Sequence, residues 1–121
     1  DLELVEARSA NFMRDYFTDE EQRVFASHGE AASDVLANLF WSAKESALKA
    51  LRTGLRRDAR ELEVELESYE EVEERWLPLR VMDLEERREF HGYWQRRGEL
   101  LLTVASGEGI AAPTLAAARA A

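Results

Sequence analysis

LANLFWSAKESALKALRTGLRRDARELEVEL, residues 36–66, changes its hydrophobic period partway along, and that change decides the fold. At first Leu36, Phe40, Ala43, Ala47 and Leu51 recur every three or four residues, the spacing of one helix face. Ser33 stands before them as an N-cap and Thr53-Gly54 after them as a stop, which predicts one long helix between. From Leu62 the period is two: Leu62, Val64 and Leu66 alternate with Glu61, Glu63, Glu65 and Glu67, as in a half-exposed strand. Downstream, Trp76–Met82, Glu89–Gln95 and Glu99–Ala105 carry strand character, with Arg96-Arg97-Gly98 as the turn before the last. Upstream, Asp1–Val5 alternates like a strand end, Ser9 caps a short helix through Phe17, and Thr18-Asp19-Glu20-Glu21 is a capping box that opens another. Ser27-His28-Gly29 ends that helix. Helices followed by an antiparallel run predict an α+β domain with helices on one face of a small sheet. No internal repeat is visible.

The 121 residues suit one domain able to bury roughly two-thirds of its unfolded surface. With no cysteine there are no disulfides or thiolate metal sites, which fits a reducing cytoplasm. Apolar runs fall far short of a membrane span, and the first residues lack a basic region of the signal-peptide kind. With 25 acidic against 16 basic residues, the net charge of -9 disfavours nucleic acid except at a local basic patch. The chain opens without Met on an acidic, strand-like segment and reads as a piece of something longer. Residues 109–121 are Ala-rich and read as a tail or linker, leaving 1–108 as the folded domain.

Asp1 and Glu3 project to one side of their strand, since side chains repeat every two residues. Trp41, Glu45 and Lys49 share one face of the long helix, with Glu45 and Lys49 ~6 Å apart along its axis. Mg²⁺ prefers a few carboxylates together with phosphate oxygens and water, so two acids from a strand and one from a helix suit a metal–pyrophosphate site, with lysines beside it to hold phosphates.

These residues carry a family resemblance. Asp1-x-Glu3 resembles the end of the Gly-(Ile/Val)-Asp-x-Glu motif of the 4'-phosphopantetheinyl transferases. Trp41-Ser42-Ala43-Lys44-Glu45-Ser46-x-x-Lys49 resembles their second signature, (Trp/Phe)-(Ser/Ala)-x-Lys-Glu-(Ala/Ser)-x-x-Lys, and Phe17-Thr18-x-x-Glu21 a third pattern between them. The resemblance covers residues 1 to about 105 and implies that family's fold. It implies Asp1, Glu3 and Glu45 as Mg²⁺ ligands, Lys44 and Lys49 as contacts to coenzyme A phosphates, and Glu45, Lys49 and Glu21 as the catalytic group. The implied reaction is in-line attack of a carrier-protein serine on the β-phosphate of coenzyme A, releasing 3',5'-ADP. Either Glu21 or a metal-bound water would take the serine proton. The partners implied are acyl or peptidyl carrier proteins of fatty-acid, polyketide or nonribosomal-peptide synthesis.

Two architectures occur in that family: paired similar halves in one chain, and single units of ~120 residues that trimerise. Trp41-Ser42 and Glu45-Ser46 are more similar to the first, surfactin type, which makes this chain a second half awaiting an N-terminal partner, with the homotrimer as the other arrangement. A non-catalytic half-domain that serves as an interaction module is the alternative function.

Plainer readings stand beside each residue. Asp1 and Glu3 could be strand-end charges, Glu45 and Lys49 a surface i,i+4 pair, Thr18 with Glu21 a capping box alone, and Trp41 packing under the site. His28 and His91 lack a metal-ligand spacing. The acidic run Glu61–Glu74 suits the wet face of an edge strand and its following turn. Arg52, Arg56, Arg57 and Arg60 form the basic cluster, a candidate dock for acidic carrier proteins.

Overall fold

Local signals set most of the element boundaries. The computed structural model describes residues 1–51, 57–69 and 75–107. The order is β1 (Leu2–Leu4), α1 (Ala10–Tyr16), α2 (Asp19–Ala26), α3 (Glu30–Leu51), a 3₁₀ turn (Ala59–Glu61), β2 (Leu62–Leu66), β3 (Leu77–Asp83), β4 (Arg88–Arg97) and β5 (Leu100–Ser106). Ser9 caps α1 by accepting from the Phe12 N–H at 3.1 Å. The capping box of α2 is complete: the Thr18 hydroxyl accepts from the Glu21 N–H, and the Glu21 carboxylate from the Thr18 N–H.

α3 starts earlier than Ser33 suggests. The Ser33 N–H donates to the Gly29 carbonyl at 2.8 Å, so the first turn is built from Gly29, and Ser33 lies inside the helix. Glu30, Ala31 and Ala32 sustain that extra turn, since alanine and glutamate are good helix formers and an acid suits the first turn. Thr53-Gly54, the expected stop, and the 109–121 tail fall outside the described residues.

All pairings in the sheet are antiparallel, in the order β1-β5-β4-β3-β2. The fold is α+β, with three helices on one face of the sheet. Arg96 and Arg97 belong to β4 rather than to the turn; the chain reverses at Gly98-Glu99, where Gly98 takes a φ of +58° that glycine adopts without strain. Gly92 has a different reason to be glycine: a Cβ there would lie 2.0 Å from the Val104 carbonyl oxygen on β5.

The core lies between α3 and the sheet, where Leu36, Leu39, Phe40, Ala43 and Ala47 meet Leu62, Val81, Phe90 and Leu101, closed at one end by Phe17 and Phe25. The small Ala43 and Ala47, both fully buried, let the α3 backbone lie close along β5. No helix among the described residues is long and apolar enough to cross a membrane.

Arg57 is part of this framework. Its Nη1 and Nη2 donate to the two oxygens of Asp83 at 3.1 and 2.8 Å, and its Nε to Glu61 at 2.6 Å. Asp83 is buried at the end of β3 and also accepts from the N–H groups of Glu85 and Glu86, which shapes the β3–β4 turn. The expected docking role of Arg57 is thereby corrected: its guanidinium is occupied in the interior. Arg60 is half-exposed and pairs with Asp19, while Arg52 and Arg56 lie outside the described residues.

Burial pushes the Asp83 carboxyl up, but the hydrogen bonds from Arg57 and from the Glu86 and Glu85 N–H groups outweigh it and hold the group below its ordinary value. The folded chain therefore binds this proton less readily than the unfolded one. The stability gained is complete above the unfolded value near pH ~4 and is lost as pH falls through the lower folded value. Arg57→Ala is expected to destabilise the domain by about 3 kcal/mol at pH 7. Denaturant melts across pH should show that deficit narrowing below about pH 4 as Asp83 takes up a proton.

Candidate functional site

β1 is turned the opposite way from an ordinary edge strand. Leu2 and Leu4 point outward, each 57% exposed, while Asp1 and Glu3 point in toward α3. Pairing with β5 fixes this register: Leu2 lies opposite Leu102, Glu3 opposite Leu101, and Leu4 opposite Leu100. Asp1 and Thr103 exchange both backbone hydrogen bonds, at 2.6 and 2.9 Å, and the Val5 N–H donates to the Glu99 carbonyl. Two acids partly withdrawn from water require compensation.

The compensation comes from named partners. The Lys49 ammonium donates to Asp1 Oδ1 at 2.8 Å, and the Ser42 hydroxyl donates to Asp1 Oδ2 at 2.9 Å. Arg8 pairs with Glu3 at 3.3 Å and with Glu6 at 3.2 Å. Its Nε donates to the buried Asn38 of α3 at 2.8 Å, and its guanidinium lies 4.7 Å above the Phe12 ring. Burial pushes the Glu3 carboxyl up; Arg8 draws it down, and Glu45 on α3 raises it again by like-charge repulsion. Asp1, Glu3, Glu45 and Lys49 thus face one region between β1 and α3. Trp41 packs against Phe12 (ring centroids 5.3 Å apart) and Tyr16 (4.9 Å), which makes it a wall of the aromatic cluster beside α1.

Glu21 and Lys44 are gathered elsewhere. Both are fully buried, with the Lys44 ammonium 2.6 Å from Glu21 Oε1. Lys44 also donates to the carbonyls of Tyr16 (2.8 Å) and Ala59 (2.9 Å), so its three N–H bonds are all used. Glu21 accepts further from the N–H groups of Thr18 and Val64. Burial drives the Glu21 carboxyl up and the Lys44 ammonium down, and each is the main force opposing the shift of the other. The expectation that Lys44 offers its ammonium to a phosphate does not hold in this structure, because its donors end on interior acceptors. Glu21, expected close to the carboxylates, belongs to the same interior pair.

The donor set still suits a hard cation. Asp1, Glu3 and Glu45 offer carboxylate oxygens from two elements, and Lys49, the partner of Asp1, has a side chain 65% exposed and can swing away. Among the described residues, no three or more acidic or histidine side chains are gathered closely enough to hold a metal ion as they stand. The Mg²⁺ ligands expected from the sequence, Asp1, Glu3 and Glu45, thus face one region, with Asp1 paired to Lys49 and Glu3 to Arg8.

Residues 1–105 match the sequence profile of the 4'-phosphopantetheinyl transferase superfamily, and the chain belongs to that superfamily. A search of curated proteins gave no match.

Four polar residues at the site were given no role in the sequence reading: Arg8, Asn38, Thr103, and Ser42, which entered only as a letter of the signature. Serines at 42 and 46 among the alanines of a buried helix face were a signal that hydroxyls were needed there, as was Thr103 within Leu-Leu-Leu-Thr-Val. A lone arginine just beyond a short strand, as at Arg8, carries no comparable mark.

Removing one member of the interior pair leaves an uncompensated buried charge, so Lys44→Met is expected to destabilise the domain by about 3–5 kcal/mol. The double change Glu21→Leu with Lys44→Met should recover most of that loss, read as denaturation midpoints of the two variants.

Proposed function

We propose that this chain moves the 4'-phosphopantetheine group of coenzyme A onto a serine of an acyl or peptidyl carrier protein, releasing 3',5'-ADP, in a cytoplasmic setting. The observation that carries the reading is the inverted β1, which keeps two acids facing Glu45 and Lys49 and leaves two leucines in water. A domain kept only for its packing would gain from the reverse orientation. The competing reading, a non-catalytic half-domain, accounts for Glu21 and Lys44 and for leucines turned toward a partner, but gives no reason for the inward residues to be acids beside Glu45.

Asp1, Glu3 and Glu45 would hold Mg²⁺, which when bound would neutralise the pyrophosphate charge. Lys49, exposed and held through one contact to Asp1, is the chain's own cation for a phosphate oxygen. In the transfer the serine oxygen bonds to the β-phosphorus, the bond from that phosphorus to the oxygen of the departing 3',5'-ADP breaks, and the serine proton is released. Glu21, with its oxygens filled by Lys44, Thr18 and Val64, is assigned no part in moving that proton.

Assembly belongs to the same reading. Leu2, Leu4, Leu100 and Val104 are exposed together on β1 and β5, a strip suited to an apolar partner. We assign it to a companion half of similar fold, as in the surfactin type.

Transfer to an apo carrier protein, followed by intact-mass spectrometry, tests the activity. It should require a divalent cation and fall about 100-fold or more in Glu45→Gln. Equal transfer in EDTA, or an unaffected Glu45→Gln, would refute the assignment. Light scattering at micromolar concentration should show this chain self-associating in the absence of a companion; a clean monomer would count against the strip as an interface, and a stable trimer would favour the single-unit architecture.

A further inference from the structure

Ser42, whose hydroxyl holds Asp1, is the end of a longer chain of hydroxyls. Ser42 Oγ lies 2.8 Å from Thr103 Oγ1, and Thr103 Oγ1 lies 2.7 Å from Ser46 Oγ. All three residues are buried in the seam between α3 and β5. An ionised carboxylate only accepts, so the Ser42 proton goes to Asp1 Oδ2, and Ser42 Oγ is left to accept from Thr103. The Thr103 oxygen in turn accepts from Ser46. The chain therefore runs one way, Ser46 to Thr103 to Ser42 to Asp1, and each bond polarises the next toward the carboxylate.

Side alternatives exist but are longer: Thr103 Oγ1 is 3.1 Å from the Ser42 carbonyl, and Ser46 Oγ is 3.3 Å from the Thr103 carbonyl. Serines inside a helix commonly return their hydroxyl to the carbonyl one turn back. Here both reach across the seam. Simple packing would be served as well by alanine, which already occupies the neighbouring buried positions 43 and 47. Burying three hydroxyls is favourable only if each is bonded, and the bonds end on one carboxylate.

The two oxygens of Asp1 are thus held differently. Oδ2 is fixed by a buried, fully connected chain, whereas Oδ1 meets an exposed lysine. We propose that Ser42, Thr103 and Ser46 are positioning residues that lock the Asp1 carboxylate by Oδ2 and leave Oδ1 free to exchange Lys49 for an incoming divalent cation. This rests on the transferase reading for the cation, though the anchoring of Asp1 does not.

Binding of Mn²⁺ to the full chain, followed by electron paramagnetic resonance with and without coenzyme A, tests it. Thr103→Val and Ser42→Ala are expected to weaken Mn²⁺ about 10-fold, as loss of a hydrogen bond behind a ligand typically does, while Thr103→Ser keeps the affinity of the unsubstituted chain. Lys49→Met should leave binding of Mn²⁺ alone unchanged or tighter, because it removes the competing cation. If Asp1→Asn abolishes Mn²⁺ binding but Thr103→Val matches the unsubstituted chain, the hydroxyl chain is not positioning Asp1, and the transferase reading stands. If the unsubstituted chain binds no Mn²⁺ under either condition, the exchange of Lys49 for a cation at Oδ1 is overturned together with the metal site of the transferase reading, and the anchoring of Asp1 is decided by the hydroxyl-proton exchange alone. Thr103→Val is nearly isosteric, and a thermal melt confirms that it folds. Slow solvent exchange of the Thr103 hydroxyl proton by NMR, lost in Ser42→Ala, is the independent support; fast exchange in the unsubstituted chain overturns the proposal.

Discussion

One buried ammonium organises this domain. Lys44 of α3 binds the carbonyl that ends α1, the carboxylate of the α2 capping box and the carbonyl of Ala59 just ahead of β2. Through Glu21 it also reaches the backbone of β2 at Val64. Such a pair adds little net stability over an apolar replacement, but it tolerates few alternative arrangements, since every donor needs its acceptor. It fixes the rotation of α3 about its own axis. That rotation decides where the next residue, Glu45, and the one a turn further on, Lys49, present themselves to β1. The signature's Lys-Glu pair thus divides its work between the interior and the surface.

Much of the fold was legible because its signals are local. The change of period at Leu62, the capping box at Thr18–Glu21 and the N-cap at Ser9 depend on neighbours in sequence, and each appears where expected. Boundaries that depend on partners moved: β3 runs to Asp83 because Leu62 pairs with it, and β4 keeps Arg96 and Arg97 because Leu101 and Leu100 lie opposite. Motifs told which residue types gather at the site but not their direction. Asp1 and Glu3 do share a side, as strand geometry requires, yet that their side faces α3 depends on β5. Lys44 could not be separated from Lys49 by type or spacing, because its burial comes from carbonyls at Tyr16 and Ala59. Arg57 looked like free surface charge since its partner Asp83 lies 26 residues downstream.

The electrostatics of the site follow from that geometry. A chain of net charge -9 places three carboxylates near one another and balances two of them with Lys49 and Arg8. The two cations are held unequally. Arg8 is anchored by the buried Asn38 and by the Phe12 ring, whereas Lys49 pairs directly with Asp1 from a largely exposed side chain. A region built this way is nearly balanced while Lys49 stays paired, and would become more acidic if that exposed cation turned away.

β1 is three residues long, lies at the sheet edge and shows its leucines to water. Hydrophobic patterning would favour its slipping by one position, which would bury Leu2 and Leu4 and expel both acids. The polar contacts of Asp1 and Glu3 therefore hold the register against the preference of the chain's own apolar residues, a local frustration at the site itself. Strands held this way open before the core does. Under gentle warming or low denaturant the acids should let go while α3 and the inner strands stay folded, so the carboxylate cluster would come apart as a separate, earlier event than the loss of shape.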